Sequence, residues 1–459
     1  MRCRLGHRRA TATAIAALAG VVAALFLSHA DAAPRREKRV STSVKESPLQ
    51  ACHRDFTVTD EEASAPPKSM GADEVDLAYF IQVAPSSAVL VPRLLRAVYH
   101  PSNFYVLHFD TKIPSETVDA VVADAAAAVR GAGSELPSNV HLLPREPVTY
   151  RGITAVLNTL SAIEASLRHA SWRYFLNLSA ADYPLLSAGA TRRLLSRPDL
   201  RTRRANFLSL HPSSTWASAA AGRFSRLTVD VGLSFSPSAN HSVLVPTTVR
   251  NPAVAALNVT LAKGSAWMVL TRPFCDHALT SSFARKALLA LGNGLSAAEH
   301  YFPTLLVNSD VYARTVLPHS LRAVYWAAAP GAAHKTVGQH PVTLDAPEHA
   351  PAANDPTPSW ETRLSKSPYL FARKFSSPDS PLLAYIDRCA NGGGGAVPAW
   401  GGRGGGKVDW AAVREGERRA HRHVDWLMRL GTIPESTEKV TRGRQSPTPM
   451  PTPTPTPRR

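Results

Sequence analysis

Cysteine is scarce. Cys3, Cys52, Cys275 and Cys389 are the only four in 459 residues, and none stands in a C-x-x-C pair. That excludes a thiolate zinc site and a thioredoxin-type redox motif. Acid is short relative to base: 35 Asp and Glu face 52 Lys and Arg, a formal net charge of +17. Such a surplus suits a polyanionic partner (nucleic acid, anionic lipid or acidic polysaccharide), or is simply a solvated basic surface. Nucleic acid fits poorly, because zinc-finger spacing, an aromatic RNA-binding signature and a basic region with heptads are all missing. Several catalytic signatures are missing as well. There is no H-E-x-x-H and no G-x-S-x-G, so zinc-protease and α/β-hydrolase chemistry lapse. The turn after the first strand reads Ala84-Pro-Ser-Ser87 instead of G-x-G-x-x-G, which argues against a dinucleotide. Gly401 to Lys407 nearly spells a phosphate-binding loop, but Val408 replaces the metal-binding hydroxyl and no strand precedes it; it reads as linker. No Asp-x-Asp pair closes a strand, so a diphosphate bound here would need Arg and Lys as fixed cations in place of a divalent metal.

What is present begins with a long apolar run. Arg2, Arg4, Arg8 and Arg9 precede uncharged residues from Ala10 to Leu27, about the minimum length for a helix crossing the hydrocarbon core. The leading arginines favour a cytoplasmic N-terminus, although Arg35, Arg36, Lys38 and Arg39 weaken the asymmetry. The sequence therefore predicts a cytoplasmic tail over 1–9 and a transmembrane signal anchor over 10–28. The alternative is a cleaved signal peptide ending at Ala30-Asp31-Ala32. Either way the remainder is delivered to the secretory lumen, where disulfides are permitted. Residues 29–75 read as a stem, residues 76–390 as the catalytic domain, and 391–459 as a Gly- and Pro-rich extension, partly disordered apart from a helix over Val408–Leu430.

Within the catalytic domain strand and helix patterns alternate four times. Strands are expected at Leu77–Val83, Phe104–Phe109, Asn139–Leu143 and Tyr174–Leu178. Helical spacing appears at Val91, Leu94, Leu95 and Val98, with Ser87 as a candidate N-cap, then over Ser115–Arg130, then at Val156, Leu160, Ile163 and Leu167. This predicts an α/β fold with a mainly parallel, Rossmann-like sheet in the N-terminal half. Ligands of such sheets sit at the carboxyl ends of the strands. Ala84–Ser87, Asp110–Lys112, Tyr150-Arg151-Gly152 and Ser179–Pro184 are therefore candidates. The second half is less regular, with apolar runs at Trp267–Leu270 and Tyr312–Leu317 and a helical pattern around Glu299 to Val307.

Several segments occur together in one order: Ala78-Tyr-Phe-Ile81, Arg93 to Tyr105, His108-Phe-Asp110, Val148-Thr-Tyr-Arg-Gly152, Asn177 to Pro184, Gly264-Ser-Ala-Trp267, Glu299-His-Tyr-Phe302 and Phe371-Ala-Arg-Lys-Phe375. As an ordered set over roughly residues 77–389 they resemble glycosyltransferase family 14, the core-2/I-branching enzyme family. The wording is most similar to the plant branch, which includes enzymes adding glucuronic acid to galactan chains of arabinogalactan proteins. The resemblance implies a GT-A-like fold, a Golgi membrane protein of single-pass type II topology with its catalytic domain luminal, and inverting transfer from a UDP-sugar without cofactor or metal. Glycoprotein or glycan acceptors are the implied partners. Relatives that transfer N-acetylglucosamine or xylose, and an inactive glycan-binding or scaffold relative, are the alternatives.

Residue by residue, the resemblance makes Glu299 the catalytic base. Inversion needs a group to take the acceptor hydroxyl's proton, and a carboxylate suffices once that hydroxyl acidifies in the transition state. Read without the family, Glu299 is a surface carboxylate at a helix start. Lys374 matches the lysine that meets the diphosphate, with Arg373 assisting; a basic surface pair is the other reading. No arginine stands in the stretch Val337–Pro341 where the family places a second phosphate ligand, leaving His340 or Lys335 to substitute. Asp110 resembles the residue contacting uridine, or is a turn former. Tyr150 and Arg151 are expected to line the donor pocket. Asp182 either orients the donor sugar or caps its turn. Gly264, Ser265 and Ala266 are small enough for substrate to approach the backbone, and Trp267 is either core or sugar platform. Tyr325 and Trp326 match an acceptor-binding region or are core. The family's stem disulfide implies Cys52–Cys389, leaving Cys275 free and buried. Of the N-x-S/T sequons, Asn240 and Asn258 fall in surface segments and are expected to be glycosylated, whereas Asn177 lies in a buried strand.

Overall fold

A computed structural model of the chain describes residues 75–211, 222–233, 243–326, 340–346, 359–391 and 410–431. The anchor at 10–28, the stem to residue 74, Cys52, Asn240, Lys335 and the Gly401–Lys407 loop lie outside the described residues. Among the described residues no helix is long and apolar enough to cross a membrane.

The fold is mixed α/β around a seven-stranded sheet rich in parallel pairs. Its strands are β1 (Leu77–Val83), β2 (Phe104–Phe109), β3 (Val140–Leu142), β4 (Tyr174–Ser179), β6 (Asn206–Leu210), β9 (Gly264–Thr271) and β10 (Val316–Leu317), in the spatial order β10-β6-β9-β4-β1-β2-β3. A three-stranded sheet runs β11-β12-β5, with β5 at Asp182–Pro184, β11 at Arg322–Val324 and β12 at Phe371–Arg373. A two-stranded pair joins β7 (Arg226–Asp230) to β8 (Leu244–Arg250).

The apolar runs of β1, β2 and β4 are explained by burial on both faces. Side chains alternate across a strand. Leu77, Tyr79, Ile81 and Val83 therefore enter one core with Tyr105, Leu107, Tyr174 and Leu176, while Ala78 and Phe80 enter a second with Phe104, Val106 and Phe175. Helices α1 (Val91–Val98) and α2 (Ser115–Arg130) fill the first core with Leu94, Leu95, Val118 and Val121. Helix α3 (Thr154–His169) fills the second with Val156, Leu160 and Ile163. Each large side chain buried in this way contributes roughly 1.5–3 kcal/mol, and the stacked Tyr79 and Tyr105 rings, 5.3 Å apart, tie β1 to β2.

Two local expectations change. Ser87 is not the N-cap of α1: it sits inside a 3₁₀ turn over Pro85–Leu90, where its Oγ accepts from the Ala84 N–H at 3.3 Å. Pro85 sets the turn early, so the hydroxyl caps it from within. The third strand shortens to β3, flanked by Asn139, whose carbonyl still accepts from the Tyr105 N–H at 2.8 Å while its Nδ2 donates to the Asn103 carbonyl at 2.7 Å. The helix expected near the C-terminus is α4 (Trp410–Leu430). It packs Ala420, Val424 and Leu427 into the first core, so this part of the extension docks on the catalytic body.

Candidate active site

Only one strand of the large sheet is reversed. β9 pairs antiparallel with both β4 and β6, while β1, β2 and β4 run parallel. The start of β9 therefore lies at the edge where β4 and β6 end, with Gly264 opposite Leu210. Gly264 is required there because a Cβ would lie 2.0 Å from the Ser209 carbonyl oxygen. The small residue thus serves the approach of β6, across a register shift between Leu208 and Leu210. Ser265 Oγ turns inward to accept from the Trp267 N–H at 3.1 Å. The result is that Lys263, just before β9, reaches the carboxyl edge.

Glu299 meets it there. Its 3₁₀ turn, Ala297–Glu299, starts at Ser296, which is left-handed at φ 65. The Ser296 N–H donates to the Arg151 carbonyl at 2.7 Å, and Glu299 N–H donates back to the Ser296 carbonyl at 3.0 Å. On the other side the buried His300 donates from Nδ1 to the Ala262 carbonyl at 2.9 Å. Burial pushes the His300 imidazole down to about 4, so it is neutral at physiological pH. Between these anchors the Glu299 side chain is 38% exposed, with Oε2 at 3.4 Å from Arg223 Nη1 and 3.6 Å from Lys263 Nζ. This is a carboxylate held by its backbone on both sides and accessible at its tip, a geometry suited to accepting a proton.

Arg151 belongs to the same assembly. It is itself left-handed at φ 68, and its Nε donates to Ser296 Oγ at 2.8 Å. The resemblance casts Arg151 as a donor-pocket residue; the structure places it as a clasp on the turn that carries Glu299. Gly152 follows because a Cβ would lie 2.0 Å from Asp230 Oδ2. Asp230 is buried at the end of β7. Its Oδ2 accepts from Thr154 N–H at 3.2 Å and from Thr154 Oγ1 at 3.1 Å, and its Oδ1 accepts from Gly232 N–H at 3.0 Å. Asp230 thus braces the 149–154 turn that braces Glu299, a role hidden in the sequence. Tyr150 is exposed and lies beside His340, ring centroids 5.2 Å apart. That contact brings His340, one of the two substitutes for the second phosphate arginine, next to the turn.

A second cluster forms on the small sheet. The register sets Arg373 opposite Asp182. Asp182, its side chain fully buried, is 2.8 Å from Arg373 Nη1 and 3.8 Å from Arg322 Nε, and it accepts from the Ser179 N–H at 3.0 Å. Arg322 donates to the carbonyls of Ser320 and Asn177. Its burial pushes it down to about 10, against the pull of Asp182, so it stays charged at neutral pH. The Trp267 ring stands 4.2 Å from the Arg373 guanidinium carbon and 5.8 Å from that of Arg322, which makes it a cation shelf. The next residue, Lys374, is fixed through its carbonyl, which accepts from Leu344 N–H at 2.9 Å. Its half-buried ammonium pairs with no described carboxylate.

The remaining candidates separate. Asp110 is buried and fully engaged: Oδ1 accepts from Lys112 N–H at 2.9 Å, while Oδ2 lies 2.7 Å from Lys112 Nζ and accepts from Val148 N–H at 3.3 Å. It ties the loop after β2 to the irregular segment leading to Tyr150. Tyr325 packs on Trp360 at 5.0 Å with Arg363 above its ring, whereas Trp326 is exposed. Asn177 is buried, its Nδ2 donating to the Ala266 carbonyl at 2.7 Å and its Oδ1 accepting from Met268 N–H at 2.8 Å. Asn258 is exposed, just past a short helix over Ala253–Leu257. Cys275 is a free, buried thiol, and Cys389 is free and half-buried; its expected partner Cys52 lies outside the described residues. Among the described residues no group of three or more His, Cys, Asp or Glu is arranged to hold a metal ion.

Comparison with known proteins bears on this arrangement. The family model described as "Core-2/I-Branching enzyme" matches residues 77–349. The chain is similar to beta-glucuronosyltransferase GlcAT14A of Arabidopsis thaliana, 30% identical over 70% of this chain and 65% of that protein. It is 32% identical to GlcAT14B of the same organism, over 68% of this chain and 65% of that one. A beta-1,3-galactosyl-O-glycosyl-glycoprotein beta-1,6-N-acetylglucosaminyltransferase 4 of Danio rerio is 28% identical over 56% of this chain and 53% of that protein. The match thus spans less than two thirds of each relative's length.

Proposed function

Because the chain belongs to the Core-2/I-branching enzyme family, we propose that it is an inverting, metal-independent glycosyltransferase of GT-A-like fold that moves glucuronic acid from UDP-glucuronate to galactan chains of arabinogalactan-type glycoproteins. The observation that carries this reading is the accessible Glu299 carboxylate, clamped between Arg151 and Ala262. In the proposed reaction Glu299 takes the acceptor hydroxyl's proton as that oxygen attacks the sugar C1. The bond from C1 to the phosphate oxygen breaks, and its electron pair leaves with UDP. Lys374 meets the growing charge, while Arg373, held by Asp182 and Trp267, fixes the strand that presents it. Attack opposite the departing phosphate inverts C1.

An N-acetylglucosaminyl donor is the second reading, favoured by the similarity to the Danio rerio transferase. The arginine-led apolar run at residues 10–27 supports a Golgi-anchored, single-pass type II protein with its catalytic domain luminal. The test is UDP release from a panel of UDP-sugars, with and without galactan, in EDTA. Galactan-dependent release with UDP-glucuronate is expected to persist in the chelator. Release that stops in EDTA would overturn the metal-free mechanism, and a folded protein inert with every donor would overturn the transferase reading.

A further inference from the structure

A groove of about 610 Å³ opens on the β7–β8 pair, lined by Ser225, Arg226, Thr248, Arg250 and Pro252 among others. The register places Arg226 directly opposite Arg250. Both are exposed, and neither pairs with a described carboxylate. Like charges facing each other across an antiparallel pair repel, so this arrangement is costly unless an anion lies between them. No acidic residue lines the groove to supply one.

Its position says which substrate it would serve. Arg226 follows Arg223, the residue at Glu299, by three positions, across the end of a helical turn at Phe224 and a bend at Ser225. The groove's framework is bonded to the segment leading to Glu299: Thr228 N–H donates to the Asn293 carbonyl at 2.7 Å, and Leu295 N–H to the Arg223 carbonyl at 3.1 Å. A base stands on the acceptor's side of the reacting carbon, and the leaving phosphate stands opposite. A groove framed by the segments that carry the base and its partner Arg223 therefore lies on the acceptor side. Guanidinium forks match carboxylates in two-point pairing, and the Ser225 and Thr248 hydroxyls suit sugar hydroxyls.

We propose that this groove binds a carboxylate-bearing sugar of the acceptor glycan, outside the reacting unit, between Arg226 and Arg250. The inference rests on the transferase reading for what the groove serves, but its binding can be measured without turnover. Purified full-length protein, with no donor present, is titrated by calorimetry with a uronate-bearing galactan oligosaccharide and with its carboxyl-reduced counterpart. The acidic form is expected to bind about tenfold more tightly, with the margin shrinking as salt is raised. The R226Q/R250Q variant is expected to lose that margin while binding the reduced form unchanged, and R226K/R250K to keep most of it. Equal affinity for the two forms, or a margin that survives R226Q/R250Q, would overturn the proposal. If the margin behaves as expected while no donor supports transfer, the groove stands and the transferase reading fails.

Discussion

Glu299 and its amide isostere differ by little in shape, which makes Glu299→Gln the sharpest single substitution. Transfer is expected to fall about 10²–10⁴-fold, while UDP affinity, measured by calorimetry, stays within a few-fold of the unaltered protein. Lost UDP binding would give Glu299 another job. Asp182→Asn acts on stability instead. It removes the charge facing the fully buried Arg322 and the half-buried Arg373, and an uncompensated buried charge costs roughly 3–5 kcal/mol, readable in the urea midpoint. At this scale the sequence was informative only where the family's wording spoke. A lone glutamate in Ala298-Glu-His-Tyr301 has no periodicity to mark it, and Lys374 looks like any basic neighbour. Asp230 and Arg322 escaped because their meaning lies in partners far along the chain; Thr154 stands 76 positions from Asp230.

The turns that hold Glu299 are the elements to perturb next. Ser296→Ala deletes the Arg151 hydrogen bond without touching the carboxylate. A charge-assisted bond is worth roughly 1.5–3 kcal/mol, so kcat is expected to drop about tenfold or more with the donor KM little changed. A rise in donor KM with kcat intact would return Arg151 to the donor pocket. Gly152→Ala would drive a methyl into the Asp230 carboxylate, and its thermal midpoint is expected to fall alongside activity. Strands buried on both faces were legible from their apolar runs, β1 and β2 occurring over the expected residues, and α2 was legible from its Ala-rich helical stretch. Strand direction was not, because no periodicity encodes it, and the reversal of β9 is what delivers Lys263 to the edge. The three-residue strands β5, β11 and β12 are too short to carry a pattern, yet they place Arg373 and Asp182 in register.

For the molecule as a whole, three histidines, the buried His108 and His300 and the half-buried His319, are held as neutral rings. Burial lowers His108, His300 and His319 each to about 4, with Asp110 opposing the shift at His108 and His423 and Arg322 adding to it at His319. An unfolded histidine titrates near 6.5, so below that pH the unfolded chain binds more protons than the folded one. Stability is expected to fall as pH drops from about 6.5 toward about 4, by up to ~1.4 kcal/mol per pH unit for each ring. Thermal melts at fixed ionic strength between pH 7 and 5 check this, and a flat midpoint would mean that these rings are already charged in the folded protein. The docked helix α4 was legible as a helix beyond its Gly-rich N-terminal flank, but its docking was not, because composition does not say that Ala420, Val424 and Leu427 join the first core. Asn177 has a consequence of another kind. Its Asn-Leu-Ser triplet is a legitimate glycan acceptor while the chain is nascent, but in the finished sheet the same amide cross-links β4 to β9. On the proposed luminal route, biosynthesis becomes a race: strand pairing must hide the amide before an oligosaccharide is attached, since a chain modified there could never close its sheet.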